Sequence, residues 1–423
     1  MDDADDDHAP VGDDVGAETV ARTDPEEAAP RSADSDTVDF SLLDQDPLYR
    51  AQRMAHLIPR HGHGIVRRIV AVVVVAWLPL VVWAFLNRRA FEATGVEPLL
   101  QHFGVHARFL LAVPLLLLAE PLAQAVGRRI VSYFLSSGLV LPNERPAFLA
   151  IVEGCRRLLR SPLALAAIAI LAFGNAAMAS RDVVHLHEVY WAVLGTGSDE
   201  HLGFVAWWYL WVSRPLYAVL LFSWIWRLLV TAILLWRISR LDLQLVPTHP
   251  DGCAGLGFLQ TLPTAFAPVI LAASTVLAAR WGHDVLYHAV PLESLRVPMG
   301  LFVLLVLVLF LAPLLVFVPK LAVLRRQSLL AYGALVGRHG HLVEQRWIRG
   351  ETIDDRGLLD APELGPVADT LTLYEAVVRM RSAPIGKQSI VTVAAAAIVP
   401  MLPVVAIQVP IKDQLLGMIK ILL

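Results

Sequence analysis

IVAVVVVAWLPLVVWAFL, residues 69–86, is an eighteen-residue run without a charge. A helix rises 1.5 Å per residue, so about 20 apolar residues cross roughly 30 Å of hydrocarbon, and this run has the length and composition of a span. Six more stretches follow it, at 109–126, 163–179, 215–236, 262–279, 297–318 and 390–409. Backbone N–H and C=O groups find no water in hydrocarbon, so segments of this kind close their hydrogen bonds internally as helices. The expected fold is all-α, a polytopic transmembrane helical bundle of about seven spans.

Orientation follows from Lys and Arg, which stay on the cytoplasmic side. With the N-terminus inside, the cytoplasmic segments 48–68, 127–161, 237–257 and 320–387 hold 23 of them, against 9 in the outer segments 87–108, 180–214, 280–297 and 410–423. The expected divisions are a tail (1–47), a membrane domain (48–319), a cytoplasmic helical segment (320–389) and a last span with a short outer C-terminus (390–423).

Residues 1–47 are of a different composition, with 16 Asp and Glu against Arg22 and Arg31. A segment so charged and so poor in apolar residues cannot bury enough surface to fold, so a disordered acidic tail is expected. The whole-chain charge of −3 hides a basic remainder. No basic segment followed by an apolar run opens the chain, so no cleaved signal peptide is expected. Both cysteines, Cys155 and Cys253, fall in segments assigned to the cytoplasm, where thiols stay reduced. Arg outnumbers Lys 31 to 4, a bias of G+C-rich genomes that points to a bacterial plasma (inner) membrane.

Trp207, Trp208, Tyr209 and Trp211 precede the fourth span and Trp281 follows the fifth, as an interfacial aromatic belt would. On the inner side, residues 143–161 read as an amphipathic helix capped by Asn143 and lying on the membrane surface. Residues 320–349 read as an extension of the sixth span. A second helix follows with Val367, Leu371, Tyr374 and Val378 on one face.

Polar groups inside spans are costly, and they pair or line cavities. Glu120 and Arg227 fall at nearly one depth, counted from the outer ends of the second and fourth spans, and are expected to meet. Pro interrupts six of the seven spans, a trait of bundles with cavities or moving helices. On the inner side, Thr248-His249-Pro250-Asp251-Gly252-Cys253-Ala254-Gly255-Leu256-Gly257 leads into the fifth span. Such a loop at a helix start is either a structural turn or a cradle presenting amides to an anion, with His249 and Asp251 as a titratable pair and Gly252, Gly255 and Gly257 supplying backbone freedom. It lacks the Gly-Lys-Ser/Thr ending of a phosphate-binding Walker loop. His102, His106 and Arg108 form a second polar group at the outer end of the second span. The histidines of either face lack the HExxH or CxxC spacing of a zinc site, so no metal and no cofactor is expected.

The segments His102-Phe103-Gly104-Val105-His106 running into Arg108 and Glu120, Thr248-His249-Pro250-Asp251 with Gly255-Leu256-Gly257, residues 364–381, and the ending Ile419-Lys420-Ile421 together resemble a widespread, functionally uncharacterised family of bacterial polytopic integral membrane proteins. The resemblance covers residues 44–423. Cys253-Ala254 departs from it where a variable residue and a glycine are expected. It implies membrane topology and carries no activity with it.

Three classes of function remain. Transport or a channel-like role ranks first, using the kinked helices and the Glu120–Arg227 level. A membrane-embedded scaffold, sensor or regulator ranks second, and an enzyme acting on a lipid-linked or phosphorylated substrate third. The expected partners are the lipid bilayer and an anionic ligand or lipid headgroup at the inner face. Nothing in the chain calls for nucleic acid.

Overall fold

The computed structural model describes residues 64–91, 98–181, 191–194, 201–352 and 365–408. The acidic tail, the side chain of Val367 and the Ile419-Lys420-Ile421 ending lie outside the described residues. The described part is an all-α membrane bundle. Its helices are α1 (Ile65–Leu86), α2 (Phe103–Ser136), α3 (Arg145–Leu159), α4 (Pro162–Arg181), α5 (Phe204–Ile238), α6 (Gly257–Tyr287), α7 (Leu292–Ile348), α8 (Gly365–Arg379) and α9 (Lys387–Ile407). A two-residue strand pair, Val193–Leu194 with His201–Leu202, is an exception to the helical pattern.

Six of these helices are long and apolar enough to cross a membrane, and α3 with α4, bent by 41°, makes up to a seventh. Chain parity assigns that crossing. Val140, just after α2, bridges to Leu243, just after α5, so those two helices end on the same side. The start of α5 is therefore opposite the end of α2, and α4 must cross between them. The N-terminus of α1 lies on the side of the 249–257 loop, which is the side the arginine excess assigns to the cytoplasm. We call that end inner. In a background with Cys155→Ser and Cys253→Ser, a thiol introduced by Ala289→Cys, in the exposed α6–α7 link, is expected to react with an impermeant reagent outside intact cells. One introduced by Glu351→Cys is expected to react only after lysis, and labelling in intact cells would invert the orientation.

Within hydrocarbon, apolar burial hardly drives helices together, and close packing and interhelical hydrogen bonds take over. α1 shows this pattern. Its buried residues Arg68, Val72, Ala76, Leu80 and Ala84 recur every four positions, a single seam, while Val66, Val70, Val74 and Val82 face outward. Ser213 Oγ donates to the Ala76 carbonyl at 2.7 Å and Trp208 Nε1 to that of Val75 at 3.0 Å, tying α5 to α1. Trp224 Nε1 donates to the Leu116 carbonyl at 3.0 Å, tying α5 to α2. Bonds of this kind contribute about 0.6 kcal/mol each, so the bundle needs many of them.

Three local expectations change. The aromatic belt is only partly a belt: Trp207 and Trp211 are exposed, but Tyr209 is buried and Trp281 packs with Leu295, Met299 and Met401. Asn143 does not cap α3, which opens one residue later than a cap there would require, from Glu144 and without a side-chain cap. α3 buries Phe148, Val152, Cys155 and Leu159 against the bundle. On α8 the buried position is Val377, with Tyr374 packing near Gly333 of α7, while Leu371 and Val378 are exposed. An offset of one residue rotates a helix by 100°, which is enough to exchange one apolar face for another.

Candidate functional site

Three polar groups stand out, two of them on the seam between α2 and α5. At its inner part lies Glu120. Its carboxylate sits 3.5 Å from Arg227 Nη2 on α5 and 2.6 Å from Arg68 Nη1 in the first turn of α1. All three side chains are at most 4% exposed. Arg68 was counted with the cytoplasmic loop in the sequence; in the fold it turns into the bundle and becomes the nearer partner. The indole of Trp224 lies 4.6 Å from the Arg227 guanidinium, and Thr231 bonds back to the Arg227 carbonyl. Two arginines thus face the one Glu120 carboxylate. Contact with the first turn of α1 also places Glu120 nearer the inner boundary than mid-membrane.

The outer end of the same seam is marked by two π turns. α2 winds through one at Ala107–Ala112 and α5 through another at Tyr209–Ser213. Single π turns inside α-helices insert an extra residue, re-aim the neighbouring side chains and recur at functional sites. Here they turn Arg108 and Tyr209 inward, where Arg108 Nη1 donates to the Tyr209 hydroxyl. The Arg108 guanidinium also lies 5.6 Å from the Tyr217 ring centroid. A cavity of about 280 Å³ opens beside it, lined also by Arg280 of α6.

His102 and His106, read from sequence with Arg108, stand apart from that cavity. His106 accepts at Nδ1 from Trp77 Nε1 at 3.1 Å, and its Nε2 lies 3.2 Å from the Leu99 carbonyl. That pair of contacts defines the Nε2–H tautomer and occupies both nitrogens. His102 stacks on His283 with ring centroids 5.3 Å apart, and His283 meets the Gln101 carbonyl. Among the described residues no group of three His, Cys, Asp or Glu could hold a metal ion. His106 also borders an apolar groove of about 510 Å³ between α2, α6 and α9, walled by Leu110, Pro403 and Val404 among others.

The third group is the inner loop. The amides that could have cradled an external anion are bonded to Asp251 of the loop itself. Its Oδ1 accepts from the N–H groups of Cys253 at 2.7 Å and Gly255 at 3.2 Å, and its Oδ2 from Gly257 at 2.7 Å. Positive φ at Gly252 (63°), Ala254 (54°) and Gly255 (93°) curls the backbone around the carboxylate. Ala254 adopts the left-handed conformation although it is not a glycine. A Cβ at Gly257 would lie 2.8 Å from Asp251, which explains the glycine there. Burial pulls the Asp251 pKa up, but the three N–H bonds and the neighbouring His249 outweigh it and hold the carboxyl below its ordinary value. His249 Nδ1 lies 3.0 Å from Oδ1 and 3.3 Å from the Asp251 N–H. In the neutral ring that nitrogen accepts from the amide; protonated, it donates to the carboxylate.

Arg381, in the α8–α9 link, clamps this loop from outside. Its N–H donates to the Gly252 carbonyl at 2.8 Å, Nη2 to that of Asp251 at 3.0 Å, and Nη1 to that of Ile385 at 3.2 Å. Cys253 is buried within the same contact, and burial pushes its thiol up despite Arg381, so it is not a poised nucleophile. The sequence singled out residues 364–381 and the loop separately; their contact is a product of the fold.

Of the residues read from sequence, the structure brings Glu120 to Arg227 and His249 to Asp251, Gly252, Gly255 and Gly257. Arg68, Arg280, Tyr209, Tyr217 and Arg381 were missed as site residues. Arg68 and Arg280 sit at span ends, where a charge reads as ordinary flanking sequence. No family model, no characterised protein and no solved structure matches this chain.

Proposed function

We propose that this integral membrane protein passes a small anionic solute across the bilayer along the α2–α5 seam. The observation carrying this reading is the distribution of charge along that seam: guanidinium groups at both levels, with the Glu120 carboxylate at the inner one. Arg108 stands at the outer level, 12 residues and so roughly 18 Å along α2 from Glu120, where Arg68 and Arg227 converge. Buried Ser213, Ser223 and Thr231 add further polar side chains along α5. A bundle selected only for packing has little use for such residues, since each ionisable group in a span is costly. The seam is closed by Trp224 bonded to Leu116, so passage requires α5 to shift against α2. π turns and the prolines within α1, α2 and α6 are features at which helices bend most readily.

The test uses the purified full chain in liposomes, following entry of labelled phosphate and sulfate and of chloride. Flux above protein-free vesicles is expected for at least one of them. Arg108→Gln is expected to lower it by roughly tenfold, equivalent to about 1.4 kcal/mol. No flux of any of the three would overturn the reading.

A partner-binding role at the inner face is the second reading, favoured by one observation. α7 runs on through Ile348, far beyond the bilayer, and with α8 it exposes Leu330, Trp347, Ile348, Leu371 and Val378. Solvent-exposed apolar residues gathered on one projection mark interaction surfaces.

A further inference from the structure

We infer that the outer groove between α2, α6 and α9 holds one acyl chain of an outer-leaflet phospholipid. The inference goes beyond the passage reading and does not depend on it. The groove takes Thr275, Ala278, Ala279 and Gly282 from α6, whereas the cleft beside Arg108 takes Ala273, Val276, Leu277 and Arg280. At about 100° per residue, those two sets face opposite sides of the helix.

The groove forms because α2 and α9 both pack on α6 without closing on each other. Aromatic contacts hold α2 there, with Tyr133 and Phe258 ring centroids 4.5 Å apart at the inner end and Phe103 and Tyr287 5.9 Å apart at the outer end. Ser274 Oγ donates to the Ala397 carbonyl, and Trp281 packs with Met401 and Val404, which holds α9. The floor between them is made of small residues, Ala278, Ala279 and Gly282, so a space of about 510 Å³ is left. Leu111, Pro403 and Ile407 at its rim are exposed, which makes the groove continuous with the surface that meets lipid.

The lining decides the chemistry of the occupant. Its two polar side chains already have partners: Thr275 Oγ1 donates to the Leu271 carbonyl at 2.7 Å, and both ring nitrogens of His106 are engaged. A water molecule needs two or more polar partners, and an apolar space without them stays dry. Left empty, the walls would forfeit their dispersion contacts, so the methylene chains of the surrounding bilayer fill the space. Depth and length agree with one chain. Counted from the outer helix ends, Gly282 lies five residues down and Thr275 twelve, roughly 8 and 18 Å. On the flanking helices, Leu111 lies eight residues down and Pro400 seven, roughly 12 and 10 Å. The groove thus runs through one leaflet, which is half of the roughly 30 Å of hydrocarbon. Its hold on the chain comes from shape and close packing, because one apolar surroundings is exchanged for another.

Two substitutions fill the groove from its floor. Ala279 is half-buried there, so Ala279→Phe places a ring where the chain would lie. A Cβ at Gly282 would meet Val404 at 3.6 Å, an ordinary contact, so Gly282→Leu adds bulk without a clash.

The full chain is purified in uncharged detergent and its retained lipid counted by native mass spectrometry. It is then stripped of lipid, and its melting temperature is followed as long-chain phosphatidylglycerol, diacylglycerol with the same chains, or short-chain phosphatidylglycerol is added back. The parent is expected to retain about one phospholipid in the groove, and each variant to lose it, a fall of roughly tenfold or more in occupancy. Stripping is expected to lower the melting temperature of the parent, and both long-chain lipids to restore it, because the groove reads the chain and not the headgroup. The short-chain lipid should not. Ala279→Phe should be insensitive to stripping, since its own ring fills the space. If both variants fail to fold, the chain-length series on the parent decides. Retention unchanged in both variants, or equal rescue by short and long chains, would overturn the inference. So would a lipid-free dimer that the same substitutions split, which would make a second copy the occupant, or lipid retained only after residues 409–423 are removed, which would give the groove to that segment.

Discussion

Glu120→Gln is expected to cost about 3–5 kcal/mol of stability, more than removal of either arginine that faces it, because it removes the carboxylate that both buried guanidinium groups contact. Arg227→Met should cost less, about 1 kcal/mol, since Arg68 at 2.6 Å still neutralises the carboxylate. Joining Arg227→Met to Glu120→Gln should restore part of the loss, so the double change is not additive. Denaturant unfolding of the four proteins in one detergent measures the order. Arg227→Met as the worst single change would mean that Arg68 is not the primary partner. A triple change, Arg68→Met with Glu120→Leu and Arg227→Met, separates packing from function. It should fold with near-parental stability, because well-packed apolar groups can replace a buried ion cluster, yet it should abolish solute passage.

Asp251→Ala is expected to destabilise by about 2–4 kcal/mol, because it removes the acceptor of three N–H groups at once and hydrogen bonds to a charged group contribute about 1.5–3 kcal/mol each before overlap. Gly257→Ala should damage the same loop from the opposite side by driving a Cβ into Asp251. The effect carries a pH signature. The folded pKa is depressed, so the contribution of Asp251 is fully present above the ordinary carboxylate value of about 3.9 and is lost as pH falls through the lower folded value. The stability gap between the parent and Asp251→Asn should thus be flat from about pH 7 to 5 and shrink below about pH 4. A gap that widens in acid would contradict the assignment. Abundance should fall with activity in Asp251→Ala and Gly255→Val, since the carboxylate occupies the amides that an external anion would need.

The two outcomes separate what can be read along a chain from what cannot. The level of Glu120 and Arg227 was countable because a helix in a membrane has a fixed rise and a fixed thickness to cross. Arg68 was not, because a guanidinium at the edge of an apolar stretch looks the same whether it reaches outward to headgroups or inward to a carboxylate. The loop at 249–257 announced itself through Pro-Asp-Gly and its glycines. Whether its amides turned to a ligand or to Asp251 depended on backbone angles, and Ala254 in the left-handed region shows that residue type alone does not dictate them.

The seven apolar stretches, their helical state and the arginine asymmetry are properties of segments, set by the cost of placing backbone and charge in hydrocarbon, so composition and length suffice to state them. The tertiary structure decided everything that depends on rotation and register. It chose which face of α8 packs on α7, turned Tyr209 inward through a π turn, and joined Arg381 to a loop 130 residues away. It also gathered Arg108, Tyr217 and Arg280 into one cleft. Lipid solvates an apolar side chain nearly as well as a neighbouring helix does. Hydrophobicity therefore carries no signal of which face turns inward, and close packing and a few interhelical polar contacts make that choice.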